Sequence, residues 1–239
     1  MKKDDYFLYL SKMAKYGLYF PGFLHNLNNP LTSLSGSLQI LQYKHPEIEK
    51  LAELNDLLES ITGQLTELAV INGQDLHVDR KNCTMRRILD QVKFFLLADS
   101  AFKHNINSHI QDEPDYTLAI APCDFFMVLV HLFQNAIDAV IEKESQEGKI
   151  RFTFVKKNDH VVFTLTDDGE GVAENLQEKV FEPGFTTRKN DREEYKFPRQ
   201  GYGLTLTAEI LKRYDGVVYL LPSPDNEGAR VKFTVPLQK

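Results

Sequence analysis

Leu24, Leu27, Leu31, Leu34, Leu38 and Leu41 recur at alternating steps of three and four residues, the spacing of a coiled-coil seam. The pattern predicts one long helix over residues 5–43. Pro30 falls inside it, where the missing backbone donor and the ring clash predict a local kink. Lys44-His45-Pro46 reads as a short turn, with Pro46 in the first turn of a second helix. That helix is expected to run to about Asn72, with Ile48, Leu51, Leu54, Leu58, Ile61, Leu65 and Leu68 on its apolar side. Two such helices make an antiparallel hairpin. One hairpin cannot cover both seams, so the pattern predicts a homodimeric four-helix bundle.

Beyond residue 73 the periodicity changes. Asn72-Gly73-Gln74 marks a boundary, and a polar segment follows to Asn82. The expected organisation is therefore a hairpin over 1–73, a linker over 74–82 and a second domain over 83–239. In that domain the pattern predicts a helix near 84–102 and a strand near 105–111. A turn at Asp112-Glu113-Pro114-Asp115 leads to a strand near 116–120. Pro122 then opens a helix reaching about Lys143. Strands near 149–156 and 160–167 flank the hairpin signal Lys157-Asn158-Asp159. A polar stretch over 182–200 precedes a helix over 203–214 and strands near 216–221 and 229–235. Strands segregated from helices predict an α+β sandwich with one sheet face covered.

Composition narrows the function classes. The 239 residues are 42% hydrophobic and 26% charged, ordinary for a globular chain, and the net charge is −6. An acidic balance argues against a nucleic-acid surface. Cys83 and Cys123 are the two cysteines; they imply no disulfide framework and suit a reducing cytoplasm. Lys12 and Lys15 interrupt the first apolar run, so the N-terminus does not read as a targeting segment. No stretch is expected to approach the ~18 apolar residues of a membrane span. A signal would then reach the protein through another molecule or another chain.

Five short stretches carry candidate chemistry. In Phe23-Leu24-His25-Asn26-Leu27-Asn28-Asn29-Pro30-Leu31-Thr32, His25 lies one position off the leucine seam, with Asn29 and Thr32 on the same helical face. Gln134-Asn135-Ala136-Ile137-Asp138-Ala139 falls on the helix after Pro122, where Asn135 offers an uncharged oxygen to Mg²⁺. Asp167-Asp168-Gly169-Glu170-Gly171 follows a strand, a carboxylate whose neighbouring glycines admit a flat ligand. Phe181-Glu182-Pro183-Gly184-Phe185-Thr186-Thr187-Arg188 brackets a turn with aromatics, then supplies hydroxyls and a guanidinium for phosphates. Gly201-Tyr202-Gly203-Leu204 opens a helix whose amino end favours an anion.

In this order the stretches resemble the H, N, first glycine, F and second glycine boxes of bacterial two-component sensor histidine kinases. The resemblance covers nearly the whole chain. It implies a histidine-phosphotransfer dimerisation hairpin followed by an α/β-sandwich ATP-binding domain of the gyrase, Hsp90 and MutL type. Its cofactors would be ATP and Mg²⁺, and its partner the receiver domain of a response regulator. By position, His25 would be the nucleophile, Asn135 would hold Mg²⁺ and Asp167 would accept the adenine amino group. Asp138, Gly169, Gly171, Thr187, Arg188, Gly201, Gly203 and Leu204 would complete the nucleotide site, with 182–200 as its lid.

Three positions depart from that pattern. Asn26 replaces the acidic residue that usually follows the histidine; its amide oxygen can fix the ring tautomer but cannot stabilise an imidazolium. Thr205 stands where another glycine is usual. His131 stands where asparagine is frequent, and reads as a helix-surface residue rather than a second metal ligand. Asn29 fits the family, where an amide four residues after the histidine is associated with dephosphorylating the regulator. The alternative readings are a phosphatase-biased or non-catalytic nucleotide-binding regulator, and a related ATPase that forms no phosphohistidine. With His25 so near the start, the sensor is expected on a separate protein or on a missing domain.

Overall fold

The computed structural model describes Leu24 and residues 26–71, 84–97, 99–143, 147–187, 201–222 and 228–238. The chain divides into two compact units, Met1–Val78 and Asp79–Lys239.

In the first unit, helix α1 spans residues 26–44, with Leu24 also helical, and helix α2 spans Glu49–Ile71. Pro30 lies within α1. Pro46 lies in the connecting turn rather than in the first turn of α2, because the bonds His45 N–H to Leu41 C=O and Ile48 N–H to His45 C=O close the turn before α2 begins. The Asn55 side-chain amide donates to the Gln42 side chain across the two helices. Leu24 and Leu58 are buried, whereas Leu34, Leu41, Ile48, Leu54, Leu57 and Ile61 are exposed. The leucine seam is thus only partly covered within one chain.

The second unit opens with α3, Met85–Leu96, and α4, Ser100–Asn105. The single helix expected over 84–102 is broken because the Asp99 carboxylate accepts the Phe102 amide, an N-cap that restarts the helix. Strand β1, Ile106–Ile110, is followed by α5, Pro122–Glu142. Proline at the first helical turn pre-sets α5 and spares a donor. The strand expected near 116–120 reduces to two isolated bridges, Thr117 to Thr84 and Leu118 to Leu237. Its apolar side chains Leu118 and Ile120 instead line a small pocket with Met85, Ile88 and Phe125.

Strands β2, Gly148–Lys157, and β3, His160–Asp167, form the predicted hairpin. Asn158 takes the left-handed conformation at φ 53°, which asparagine tolerates. Helix α6, Gly203–Lys212, and strands β4, Val218–Leu221, and β5, Arg230–Pro236, complete the unit. The sheet order is β1-β2-β3-β5-β4. β1 runs parallel to β2, so the intervening chain, α5 included, crosses the sheet, while the remaining pairs are antiparallel.

Burial alternates along β2 and β5, placing one sheet face against the core. That face carries Phe152, Phe163 and Phe233, all fully buried. Phe163 stacks on Phe233 with ring centroids 4.7 Å apart and planes 13° apart. Phe125 and Phe133 of α5 meet Phe163 and Phe152 at 5.4 and 5.5 Å. This burial explains the composition of α5. By length and hydropathy it does reach the range of a membrane span, contrary to expectation, and 56% of that span is buried inside the unit.

Phe163 therefore touches the sheet on both sides and the helix above it. Phe163→Ala is expected to lower the unfolding free energy by about 3–5 kcal/mol, measured as a shift in a urea unfolding curve followed by circular dichroism.

Candidate nucleotide site

The site is assembled from the end of β3, the outer face of α5 and the beginning of α6. Asp167 closes β3 and is 6% exposed. One of its carboxylate oxygens, Oδ1, accepts the amides of Gly169 at 3.0 Å and Ala229 at 3.1 Å. Two backbone donors fix the carboxylate, satisfying most of the need that burial imposes on a charged group. Next to it, the Asp168 carboxylate accepts the Lys149 amide at 2.8 Å, and the Lys143 ammonium donates to the Asp168 carbonyl at 2.7 Å.

Gly169 is required here by packing. A Cβ at this position would lie 2.6 Å from the carbonyl carbon of Ala139, so only glycine lets the turn after β3 lie against α5. Gly171 packs against the Gly228 carbonyl. Asp138 of α5 is 4% exposed and accepts the Gln134 side-chain amide at 3.1 Å. It stands beside Ala139, at the contact between α5 and the glycine turn.

Asn135 lies one turn from His131 on α5, and both face the first residue of α6. A Cβ on Gly203 would lie 3.6 Å from His131 Nδ1 and 3.7 Å from Asn135 Nδ2. Those are ordinary contacts, so packing alone does not demand glycine at Gly203. Its missing side chain leaves backbone open beside two polar groups. Among the described residues no side-chain cap bond closes the amino end of α6, where the first amides carry the positive end of the helix dipole. Leu204 is half-buried in the same first turn.

The segment before α6 is tied to it. Gly201 accepts the Gly184 amide through its carbonyl at 3.2 Å, and the Thr205 hydroxyl donates to the Phe181 carbonyl at 3.0 Å. Thr205 thus adds a bond that glycine lacks. At the other end of α6, the Tyr214 hydroxyl donates to Asp124 at 2.6 Å. Burial, then the Asp124 bond, raises the Tyr214 pKa. That bond joins the end of α6 to the start of α5, and no sequence motif pointed to it.

Thr187 is exposed; Arg188 and most of the expected lid lie outside the described residues. So does His25. Asn26 and Asn29 are exposed on α1 in the first unit. His131 corrects the expectation of a helix-surface residue. It is only half-exposed, its Nε2 is buried without a hydrogen-bond partner, and burial lowers its pKa. The available signal was its spacing of four from Asn135, which puts both on one helical face. Among the described residues no three His, Cys, Asp or Glu side chains cluster as a metal cage. A divalent ion here would need further oxygen ligands from whatever is bound.

This arrangement has counterparts. Residues 126–239, most of the second unit, match the histidine kinase-, DNA gyrase B-, and HSP90-like ATPase family. Over 98% of its length the chain is 23% identical to Sporulation kinase A of Bacillus subtilis, covering 36% of that protein. It is 23% identical to the sensor histidine kinase ZraS of Escherichia coli O157:H7 over 95% of its length, covering 47% of ZraS. Among solved structures, the catalytic domain of histidine kinase ThkA aligns with 65% of the chain and 95% of its own length, at TM-score 0.51 and 22% identity. Full-length ShkA in complex with AMPPNP aligns with 91% of the chain and 45% of its own length, at TM-score 0.54 and 16% identity. The second unit thus has the fold of histidine kinase catalytic domains. The chain spans between about a third and a half of the length of these curated relatives.

The buried imidazole predicts a pH effect. Because the folded pKa of His131 lies below the ordinary 6.5, the unfolded chain takes up this proton first. The contribution to stability is complete above pH 6.5 and declines as pH falls through and below that value. Unfolding curves between pH 7.5 and 5 should therefore show the parent losing stability relative to His131→Asn; parallel losses would contradict the assignment.

Proposed function

We propose that this chain is an ATP-dependent protein-histidine kinase that phosphorylates His25 and passes the phosphoryl group to an aspartate of a response-regulator receiver domain. One observation carries the reading. A buried carboxylate on fixed backbone donors and a helix amino end at Gly203, faced by Asn135 of α5, stand in one unit, within a chain that aligns over nearly its whole length with sensor kinases.

The residues fit a magnesium nucleotide. Asp167 offers its carboxylate to the adenine amino group. Gly169 and Gly171 keep the chain low enough for the base, and Asp138 supports that floor through α5. Asn135 offers a hard oxygen to Mg²⁺, and the amides at Gly203 and Leu204 receive phosphate. Gly201 and Thr187 would border the phosphate end, the place the family pattern also gives to Arg188. Bound there, a magnesium nucleotide would supply the γ-phosphoryl group and the charge neutralisation that its transfer needs. An imidazole nitrogen of His25 takes the phosphorus, ADP departs and the ring proton goes to solvent. The ring is well suited, since an ordinary histidine is largely neutral near pH 7.

Dimerisation follows from the hairpin. Among the described residues, eight large apolar side chains of α1, α2 and the turn between them are exposed in the single chain, more than a solvated pair of helices sustains. A second copy would cover them as a four-helix bundle. A cytoplasmic location completes the proposal. Asn26 favours one second reading, a regulator that docks its partner or removes its phosphate without forming phosphohistidine.

Incubation with γ-labelled ATP and Mg²⁺ separates the two. The kinase reading predicts acid-labile, alkali-stable label on the parent. His25→Ala should carry none, and Asn135→Ala about a hundredfold less or below detection. Nucleotide binding without label would contradict the kinase and favour the second reading.

A further inference from the structure

The outward face of the sheet carries charge opposite to that of the chain. Along each strand the outward positions alternate with those that line the aromatic core. On β2 they hold Lys149, Arg151 and Lys157, and on β5 Arg230 and Lys232. β3 lies between these strands and presents Thr164 and Thr166 outward. Five cations and no carboxylate thus occupy the outward positions of the three central strands, in a chain of net charge −6. Among the described residues none of the five takes part in an ion pair. Asp159 and Asp168 lie beyond the two ends of β3, and the Asp168 carboxylate is engaged by the Lys149 amide. A single-sign patch of this kind sets up a local field that favours anions against the sign of the whole molecule.

We propose that this face docks on an anionic lipid bilayer. Shape and composition choose that occupant among polyanions. Arg151, Thr166 and Arg230 form one row across the sheet, and at about 4.8 Å per strand the two arginines are rooted about 10 Å apart. Thr164 and Lys232 stand in the next row. The cations are therefore spread in two dimensions, as the headgroups of a leaflet are, with threonine hydroxyls between them to donate to phosphate.

The border of the patch is apolar. Val155 and Val217 are 53% and 54% exposed, and Tyr219, opposite Lys232, is exposed as well. Apolar and amphipathic side chains beside cations suit the boundary between headgroups and acyl chains, whereas an acidic polypeptide answers only the charge. Single-stranded nucleic acid needs several aromatic platforms for its bases. Among the described residues Tyr219 is the one Phe, Tyr or Trp at an outward position of the sheet.

Cosedimentation of the full chain with sucrose-loaded vesicles tests this. The vesicles are phosphatidylcholine alone, or phosphatidylcholine with phosphatidylglycerol at two parts to one. The expected result is binding to the acidic vesicles only, lost as salt is raised. Arg151→Gln/Lys157→Gln/Lys232→Gln should bind about a hundredfold more weakly, at roughly fivefold per cation. Lys50→Gln/Lys103→Gln/Lys212→Gln, which removes three exposed cations elsewhere, should bind like the parent. AMPPNP binding should be the same in all three proteins. If the first variant folds poorly, Arg151→Gln alone should still lose roughly fivefold. Equal binding to neutral vesicles, or equal loss in the two triple variants, would overturn the inference. No binding to acidic vesicles would overturn it too, and retention of polyglutamate or a single-stranded oligonucleotide would then give the face to that class.

Discussion

Helix α5 is bound on two sides at once, and the rest of the second unit depends on that. Phe125 and Phe133 are buried against Phe163 and Phe152 of the sheet. Residues two positions away on a helix point to the opposite side, so His131 and Asn135 are turned toward α6. Aromatic burial of this extent is worth several kcal/mol per ring, far more than any single contact at the polar face. The polar face is therefore held in place by packing it takes no part in. The same helix backs the glycine turn after β3 through Ala139, bringing Asp167 into the same neighbourhood.

What α5 positions, α6 completes. Its far end is tied to the start of α5 by Tyr214 and Asp124, and its near end to the segment around Phe181 by Thr205. The amino end lies just before the Thr205 attachment. A helix end left without a capping side chain has donors to offer, and here they stand beside an amide and an imidazole. The first unit has a different economy. Its two helices leave Leu34, Leu41, Leu54 and Leu57 exposed in the single chain.

Much of this was legible in the sequence because period and punctuation agreed. Pro122 marked the start of α5, Asn158 marked the hairpin, and the order of short polar stretches pointed to an ATP-binding unit. Regularity failed where a side chain competed with the backbone. Asp99 restarted a helix that propensity would have continued, and the apolar run at Leu118–Ile120 went to line a pocket instead of joining the sheet. Pro46 read as a helix start but belongs to the turn, since the local bonds at His45 and Ile48 close before α2. The site residues that sequence reasoning undervalued, His131, Thr205 and Tyr214, act through partners remote in the chain. His131 meets Gly203 only because two helices pack together, and no local pattern announces that.

The central claim is that Asp167, Asn135 and the start of α6 form one nucleotide site. Two-dimensional ¹H–¹⁵N spectra of the full chain, recorded while AMPPNP and Mg²⁺ are added, test it most directly. The account predicts that the amides of Gly169, Gly171, Gly203 and Leu204 and the Asn135 side chain shift together, with one shared dissociation constant. Shifts confined to other surfaces, or separate constants for the Asp167 and Gly203 ends, would contradict it.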